Sequence, residues 1–186
     1  MALPYLADFT SKYRGQLIIA TYRKWLKSGD QVLDIGCGNG VVSKIIADTL
    51  SIKLIGCDIL EYPKTYIQVK LMSNPEKLSF PSHTFSSAMF NDVLHHMPYQ
   101  TQVKLIREAL RVAKQILIFE VKPNPLSALS DWLINKIHHP QMNIPFTFRS
   151  QQDWEKLFKN LGANYQSTQI KTPLWYPFSH VAFNLN

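Results

Sequence analysis

Three glycines at alternate positions, Gly36, Gly38 and Gly40, follow the apolar run Val32-Leu33-Asp34-Ile35 and precede a helical pattern that opens at Val41. Glycine tolerates positive φ and lets a ligand approach the backbone closely. The N–H groups at the start of a helix favour an anionic group. Such a loop serves a dinucleotide phosphate or an amino-acid carboxylate, and two details separate them. The dinucleotide fingerprint spaces its glycines as G-x-G-x-x-G, whereas here the third falls one residue earlier and Val41 takes the dinucleotide position. Asp34 stands on the strand just before the loop. A carboxylate there repels a pyrophosphate and suits a ligand carrying an ammonium group. A zwitterionic amino acid with a nucleoside attached needs both features. Asp58 closes the next apolar run at the spacing of about 20 residues expected of a ribose-binding acid, and a carboxylate accepts from both ribose hydroxyls.

The elements that must position these residues alternate strand and helix. Residues 16–27 place Leu17, Ile18, Thr21, Tyr22 and Trp25 on one helical face, broken by Ser28-Gly29-Asp30. Strands are predicted over 31–35, 53–57, 66–71, 86–91 and 115–121, with a helix over 41–50. Pro98 opens a further helix that needs no N–H there, with Val103, Ile106, Leu110 and Ala113 at helical spacing. Ser150 and Asp153 form a capping-box pattern before the face Trp154, Leu157, Phe158 and Leu161, and Gly162 is a stop. Strands near 164–171 and 180–185 close the sheet as an antiparallel pair. This alternation argues for a mostly parallel sheet with helices on both faces, which binds ligands beyond the carboxyl ends of its strands.

With 186 residues, 46% of them apolar and 18% charged, the chain fits one globular domain. Its net charge of +7 favours acidic partners, nucleic acid or anionic membrane surfaces, but the lysines are scattered and read first as a solvated surface. Cys37 and Cys57 form neither a CxxC pair nor a zinc spacing. Residues 1–10 carry Asp8 and no basic segment before an apolar run, so no secretory leader is expected, and no apolar stretch reaches the length of a membrane span. A cytoplasmic protein is the expectation.

The segment Val32-Leu33-Asp34-Ile35-Gly36-Cys37-Gly38-Asn39-Gly40 resembles the first motif of class I S-adenosylmethionine (SAM)-dependent methyltransferases. The resemblance covers residues 15–121 well and the rest weakly. It implies an α/β, Rossmann-like fold: a seven-stranded, mostly parallel sheet of order 3-2-1-4-5-7-6 with strand 7 antiparallel. It implies SAM as cofactor and S-adenosylhomocysteine as product. Asp34, Gly36, Cys37, Gly38, Asn39 and Gly40 would cradle the amino-acid end, Asp58 would hold the ribose, and Ile59 would pack on the adenine. The stretch Asn74-Pro75-Glu76-Lys77-Leu78-Ser79-Phe80 resembles the family's D-A-E-x-L-P-F loop, which gives Asn74 and Pro75 an adenine contact. It departs from that pattern at Asn74 and Ser79, and Pro75 has no N–H to offer. The segment ending Asp92-Val93-Leu94-His95-His96 resembles the fourth motif, with Ser86 in place of its usual Asp. It puts Asn91 and Asp92 near the SAM amine and His95 or His96 near the methyl group as a candidate general base. Arg14 is assigned to the SAM carboxylate by its position before the first motif. No metal is expected, because neighbouring histidines on a helix point in different directions.

The domain is read as 1–186, with an N-terminal helical segment over 1–30 and substrate-facing insertions over 122–150 and 172–179. The first insertion holds Leu126, Leu129, Trp132, Leu133 and Ile137, then His138-His139-Pro140 and Ile144-Pro145-Phe146-Thr147-Phe148-Arg149. The F-x-F-R-S pattern is similar to small-molecule members of the family, including the quinone-biosynthesis type. The second holds Trp175, Tyr176 and Phe178. Trp132 and Trp154 are read as core, while the two loop clusters are equally core or acceptor pocket. There is no N-P-P-[YF] tetrad, no acid set of the magnesium-dependent catechol type, and no cysteine placed as a cytosine-C5 nucleophile. A small apolar or aromatic acceptor is the first reading. An RNA or protein acceptor and a non-catalytic SAM-binding partner subunit are the alternatives. Contact with a membrane surface stays open, and a monomer or homodimer is expected.

Overall fold

Apolar side chains alternate along the central strands, and that alternation decides the layers. In β1 (Gln31–Ile35), β4 (Phe85–Asn91) and β5 (Ala113–Val121), Leu33, Ile35, Ala88, Phe90, Ile116 and Ile118 enter one core, whereas Val32, Met89, Leu117 and Phe119 enter the other. The first core is covered by α3 (Tyr99–Val112) and α5 (Gln151–Asn160), the second by α1 (Leu3–Tyr22) and α2 (Val41–Leu50). The remaining elements are β2 (Lys53–Asp58), β3 (Val69–Leu71), α4 (Pro125–His138), β6 (Tyr165–Ile170) and β7 (His180–Leu185). This is a computed structural model, and it describes residues 3–138, 145–173 and 175–186.

The seven strands form one sheet in the order β3-β2-β1-β4-β5-β7-β6. The first five run parallel, and β7 is antiparallel to both β5 and β6. The expected order and the antiparallel strand are both present. All five parallel strands therefore end on one side, where the motif residues collect. No helix among the described residues is long and apolar enough to cross a membrane.

Several boundaries differ from the expected ones, each for a physical reason. The first helix spans Leu3–Tyr22 and stops five residues before position 27. Trp25 and Leu26 both donate to the Tyr22 carbonyl, which tightens the turn and buries Leu26, and Gln115 donates to the part-buried Trp25 carbonyl at 3.1 Å. Strand three is only Val69–Leu71, because Tyr66 spends its N–H on the Asn39 carbonyl (2.9 Å) and Ile67 packs over the glycine loop. Ala113, expected on a helix, begins β5. The capping box at Ser150 and Asp153 is formed in full, a device worth about 1 kcal/mol. Trp154 is core, but Trp132 is 46% exposed, against the expectation for it. His139, Pro140 and Ile144 lie outside the described residues.

Candidate active site

The loop after β1 needs glycine at two positions for steric reasons. Gly36 has φ 75°, and a Cβ there would fall 2.2 Å from Cγ2 of Val93. Gly40 has φ 79°, and its Cβ would fall 2.4 Å from Ile67. The loop is thus clamped between the turn after β4 and the segment before β3. Cys37 packs its sulfur on Gly56. Burial pushes the Cys57 thiol up to about 12 and the Cys37 thiol higher still, so neither is a nucleophile at neutral pH. Asn39 accepts from the Val41 N–H at 3.2 Å, which caps one of the helix-start donors the sequence reading left open.

Asp58 ends β2 beside this loop. One carboxylate oxygen accepts from the Gly38 N–H (2.7 Å) and the other from the Leu60 N–H (2.9 Å). A carboxylate has about four acceptor sites, so two bonds that fix its plane leave capacity for a diol. Ile59 is 53% exposed, an apolar face without cover. Tyr62, unmarked in the sequence, brings its hydroxyl to the same place, 3.8 Å from a Cβ on Gly38. Burial and then Asp58 push its phenol up to about 12. Asn74 is exposed, and its side-chain carbonyl already accepts from the Glu76 N–H at 2.8 Å; Pro75 beside it is also exposed.

Asp34 faces the α1/α2 side, like Val32 two residues before it. It accepts from the Ser43 hydroxyl (2.6 Å) and the Asn91 amide (3.3 Å), and Asn91 accepts from the Tyr22 hydroxyl (3.0 Å). Burial raises its carboxyl to about 6, against those bonds and the Arg14 charge. Asp92 has φ 53°, a left-handed conformation that aspartate tolerates, held by its N–H to the Phe119 carbonyl at 2.8 Å. Its carboxylate lies 3.6 Å from the Arg14 guanidinium and 3.1 Å from Nε2 of His180. Burial would raise this carboxyl, but His180 and Arg14 outweigh it and hold it below the usual range. Arg14 is therefore brought to Asp92, and its buried Nε has no hydrogen-bond partner among the described residues.

The left-handed turn at Asp92 aims the next two backbone amides at β5. Val93 and Leu94 donate to one oxygen of Glu120, at 2.9 and 2.7 Å, and Nδ1 of His95 meets the other at 2.6 Å. His95 is 1% exposed and stacks on Phe148 with ring centroids 4.9 Å apart. Asp131 of α4 approaches both histidines, with its Oδ2 3.3 Å from Nε2 of His95 and 3.2 Å from Nε2 of His96. Burial alone would lower the His95 pKa, yet Glu120 and Asp131 raise it to about 10. Burial would raise Asp131, and the two histidines pull it well below the usual carboxylate range. The expectation that the two rings diverge does not hold. Leu94–His96 is a 3₁₀ turn, and the ring centroids lie 4.2 Å apart.

Glu120, Asp131, His180 and Tyr22 carried no role in the sequence reading. Glu120 had a legible signal, an acid at the end of an apolar parallel strand, where burial demands partners. Tyr13 packs on Trp175 and Tyr176 at 4.7 and 4.9 Å between ring centroids, so the aromatic connection before β7 closes against α1. Tyr176 is core and Trp175 is exposed.

The residues suit the group the motifs imply. Two loop positions exclude any Cβ, a fixed carboxylate retains acceptor capacity, an apolar side chain stands bare beside it, and a buried guanidinium nitrogen has no hydrogen-bond partner among the described residues. A ligand with a carboxylate, an ammonium, a ribose and a flat base uses each of these.

Comparison with known proteins agrees. Residues 9–168 match the family model described as a methyltransferase domain. Over 125 residues the chain is 30% identical to the tRNA (carboxymethyluridine(34)-5-O)-methyltransferase of Arabidopsis thaliana, covering 61% of this chain and 30% of that protein. Over 121 residues it is 29% identical to the 27-O-demethylrifamycin SV methyltransferase of Amycolatopsis mediterranei (strain S699), covering 59% and 41%. The chain thus spans less than half the length of these curated relatives. Among solved structures it superposes on Burkholderia thailandensis 1,6-didemethyltoxoflavin-N1-methyltransferase, solved with 1,6-didemethyltoxoflavin and S-adenosylhomocysteine. The TM-score is 0.68 at 14% identity, over 100% of this chain and 89% of that one. By its glycine-loop motif, its strand order and this family match, the chain belongs to the methyltransferase-domain family, with the class I fold.

Proposed function

We propose that this chain transfers a methyl group from SAM to a small, apolar or aromatic acceptor held beside His96. The observation that carries this reading is the juxtaposition of two preformed half-sites at the strand ends. One is the Gly36–Gly40 loop with Asp58, and the other is the His95–Glu120–Asp131–His96 cluster, joined through Asn91 and Asp92. The cofactor supplies an activated sulfonium methyl for in-line displacement.

The chain's own residues bind and orient. Asp58, fixed by two backbone N–H groups, takes the ribose hydroxyls, and Ile59 covers the base. Arg14 takes the amino-acid carboxylate, while Asp34 and Asp92 make the amine end of the pocket negative, with the Asn91 amide beside them. His95, a buried cation at neutral pH, cannot accept a proton and serves as a positioning residue. His96, 24% exposed beside Asp131, is the ring that reaches an acceptor. Phe146, Phe148 and the exposed Trp175 supply aromatic walls, so 122–150 and 172–179 act as acceptor-facing insertions on one domain. Alignment of acceptor and methyl supplies about 7–11 kcal/mol. Cytoplasmic residence and a monomer or homodimer complete this reading.

The rifamycin and toxoflavin methyltransferases, both named for small-molecule acceptors, support it. The net charge of +7 and the likeness to a tRNA methyltransferase favour RNA as the second reading. The test is conversion of SAM to S-adenosylhomocysteine over a panel of aromatic and apolar metabolites, with tRNA as a parallel arm at low and high salt. Turnover with a metabolite is expected. Turnover with tRNA alone, with binding that weakens steeply in salt, gives the second reading. S-adenosylhomocysteine binding without turnover on any substrate points to a non-catalytic partner subunit.

A further inference from the structure

The His95, His96 and Asp131 cluster has more donors than a methyl-transfer pocket for an apolar acceptor requires. The donor atoms of these three residues lie within 4.8 Å of one another. Oδ2 of Asp131 stands 3.3 and 3.2 Å from the two Nε2 atoms. Ligands bound tetrahedrally at the usual zinc distances are about 3.3 Å apart, so two of the three edges already have coordination length. Nε2 of His95 is buried with no aligned hydrogen-bond partner among the described residues, and it points at this group. Its other nitrogen is held at 2.6 Å by Glu120, which is itself anchored by two backbone N–H groups. That is the carboxylate–histidine arrangement which orients a metal-binding imidazole and raises its basicity.

The two carboxylates approach His95 from opposite ring nitrogens, Glu120 at Nδ1 and Asp131 at Nε2, where Glu120 and His95 are each 1% exposed.

We propose that His95 Nε2, His96 Nε2 and Asp131 bind a divalent transition-metal ion, zinc being the first candidate for a two-imidazole, one-carboxylate set, with Glu120 behind His95. Three protein ligands leave one position open, which is the pattern of a catalytic rather than a structural site. Resting on the methyl-transfer reading, that open position selects an acceptor with a hydroxyl oxygen, because a bound cation lowers the pKa of the oxygen it holds.

The test titrates zinc chloride into untagged protein, stripped with a chelator and exchanged into chelator-free buffer, with heat as the readout. S-adenosylhomocysteine is titrated into the same protein in parallel. One ion per chain is expected. His96→Ala and Asp131→Asn weaken zinc by at least about tenfold, whereas His83→Asn, at an exposed histidine elsewhere, leaves it unchanged. Cobalt(II) in place of zinc gives the visible absorption of a four-coordinate site in the wild type, lost in both variants. Absence of zinc uptake by the wild type, or equal uptake by His96→Ala and Asp131→Asn, overturns the proposal. No zinc with intact S-adenosylhomocysteine binding removes the metal site alone. Zinc without S-adenosylhomocysteine binding keeps the metal site and removes the methyl-transfer reading.

Discussion

The cofactor side and the acceptor side of this site are assembled in different ways. Around the glycine loop, one contiguous stretch, 32–40, supplies the strand, the turn and the helix start, and Asp58 joins from the neighbouring parallel strand. Around His95, the partners come from positions 120, 131, 147 and 148, carried by a strand end, a helix and an irregular segment. The first half is fixed by backbone conformation and close packing, with glycines where no Cβ fits. The second is fixed by buried charge, with each carboxylate satisfied by groups distant in sequence. Backbone geometry of the first kind is written locally. Electrostatic closure of the second kind exists only once the sheet has formed.

Substitutions can separate the halves. Gly36→Ala strikes the first hardest, since its Cβ meets Val93 at 2.2 Å on a residue with φ 75°. Overpacking costs about 1–3 kcal/mol and left-handed backbone about 1–2 kcal/mol more. The urea midpoint should fall accordingly, and S-adenosylhomocysteine should give no heat in calorimetry.

Asp34 gives the pH signature of the same half. Its carboxyl is raised to about 6 in the fold, so between the ordinary carboxylate range and that value the folded chain holds a proton that the unfolded chain releases. Wild-type stability should therefore fall as pH rises through that window, by on the order of 3 kcal/mol. Asp34→Asn lacks this slope and should gain relative to wild type as pH climbs from about 4 to about 7. Urea unfolding of both proteins across that range checks it, and a constant gap would refute the buried-carboxyl assignment.

Glu120→Gln probes the other half. The amide still accepts from Val93 and Leu94 but presents the wrong group to Nδ1 of His95. Turnover should drop about 10²-fold through misplacement of the cluster, with S-adenosylhomocysteine affinity unchanged. The mirror experiment is Asp58→Ala. It should weaken S-adenosylhomocysteine by about 1.5–3 kcal/mol, roughly ten- to hundredfold, with the acceptor KM unmoved. If either variant shifted both quantities together, the division into halves would be wrong.

The same contrast governs what could be read beforehand. The glycine loop and the Ser150 cap follow from local pattern, the strand order follows from the family resemblance that the loop carries, and all three are present as expected. Trp25 continues the helical period beyond the true end of α1, because Leu26 gains more by turning inward. Strand three is shorter than its apolar run because residues 66 and 67 serve the glycine loop instead of the sheet. Helical spacing is the same for a buried face and an open one, so it predicts Trp132 as core where the structure leaves it exposed. An acid at the end of the apolar strand β5 signals that Glu120 needs partners but not which ones, and nothing local distinguishes Asp131 from a solvated helix acid.

The seating of Val93 on Gly36 ties two positions 57 residues apart into one heritable unit. Residue 36 cannot drift alone. A descendant that enlarges residue 36 must already have trimmed residue 93, and Val93→Ala is the permissive step that opens such a route. Across lineages the two sites should therefore change in sequence, the valine first, although no hydrogen bond or charge connects them.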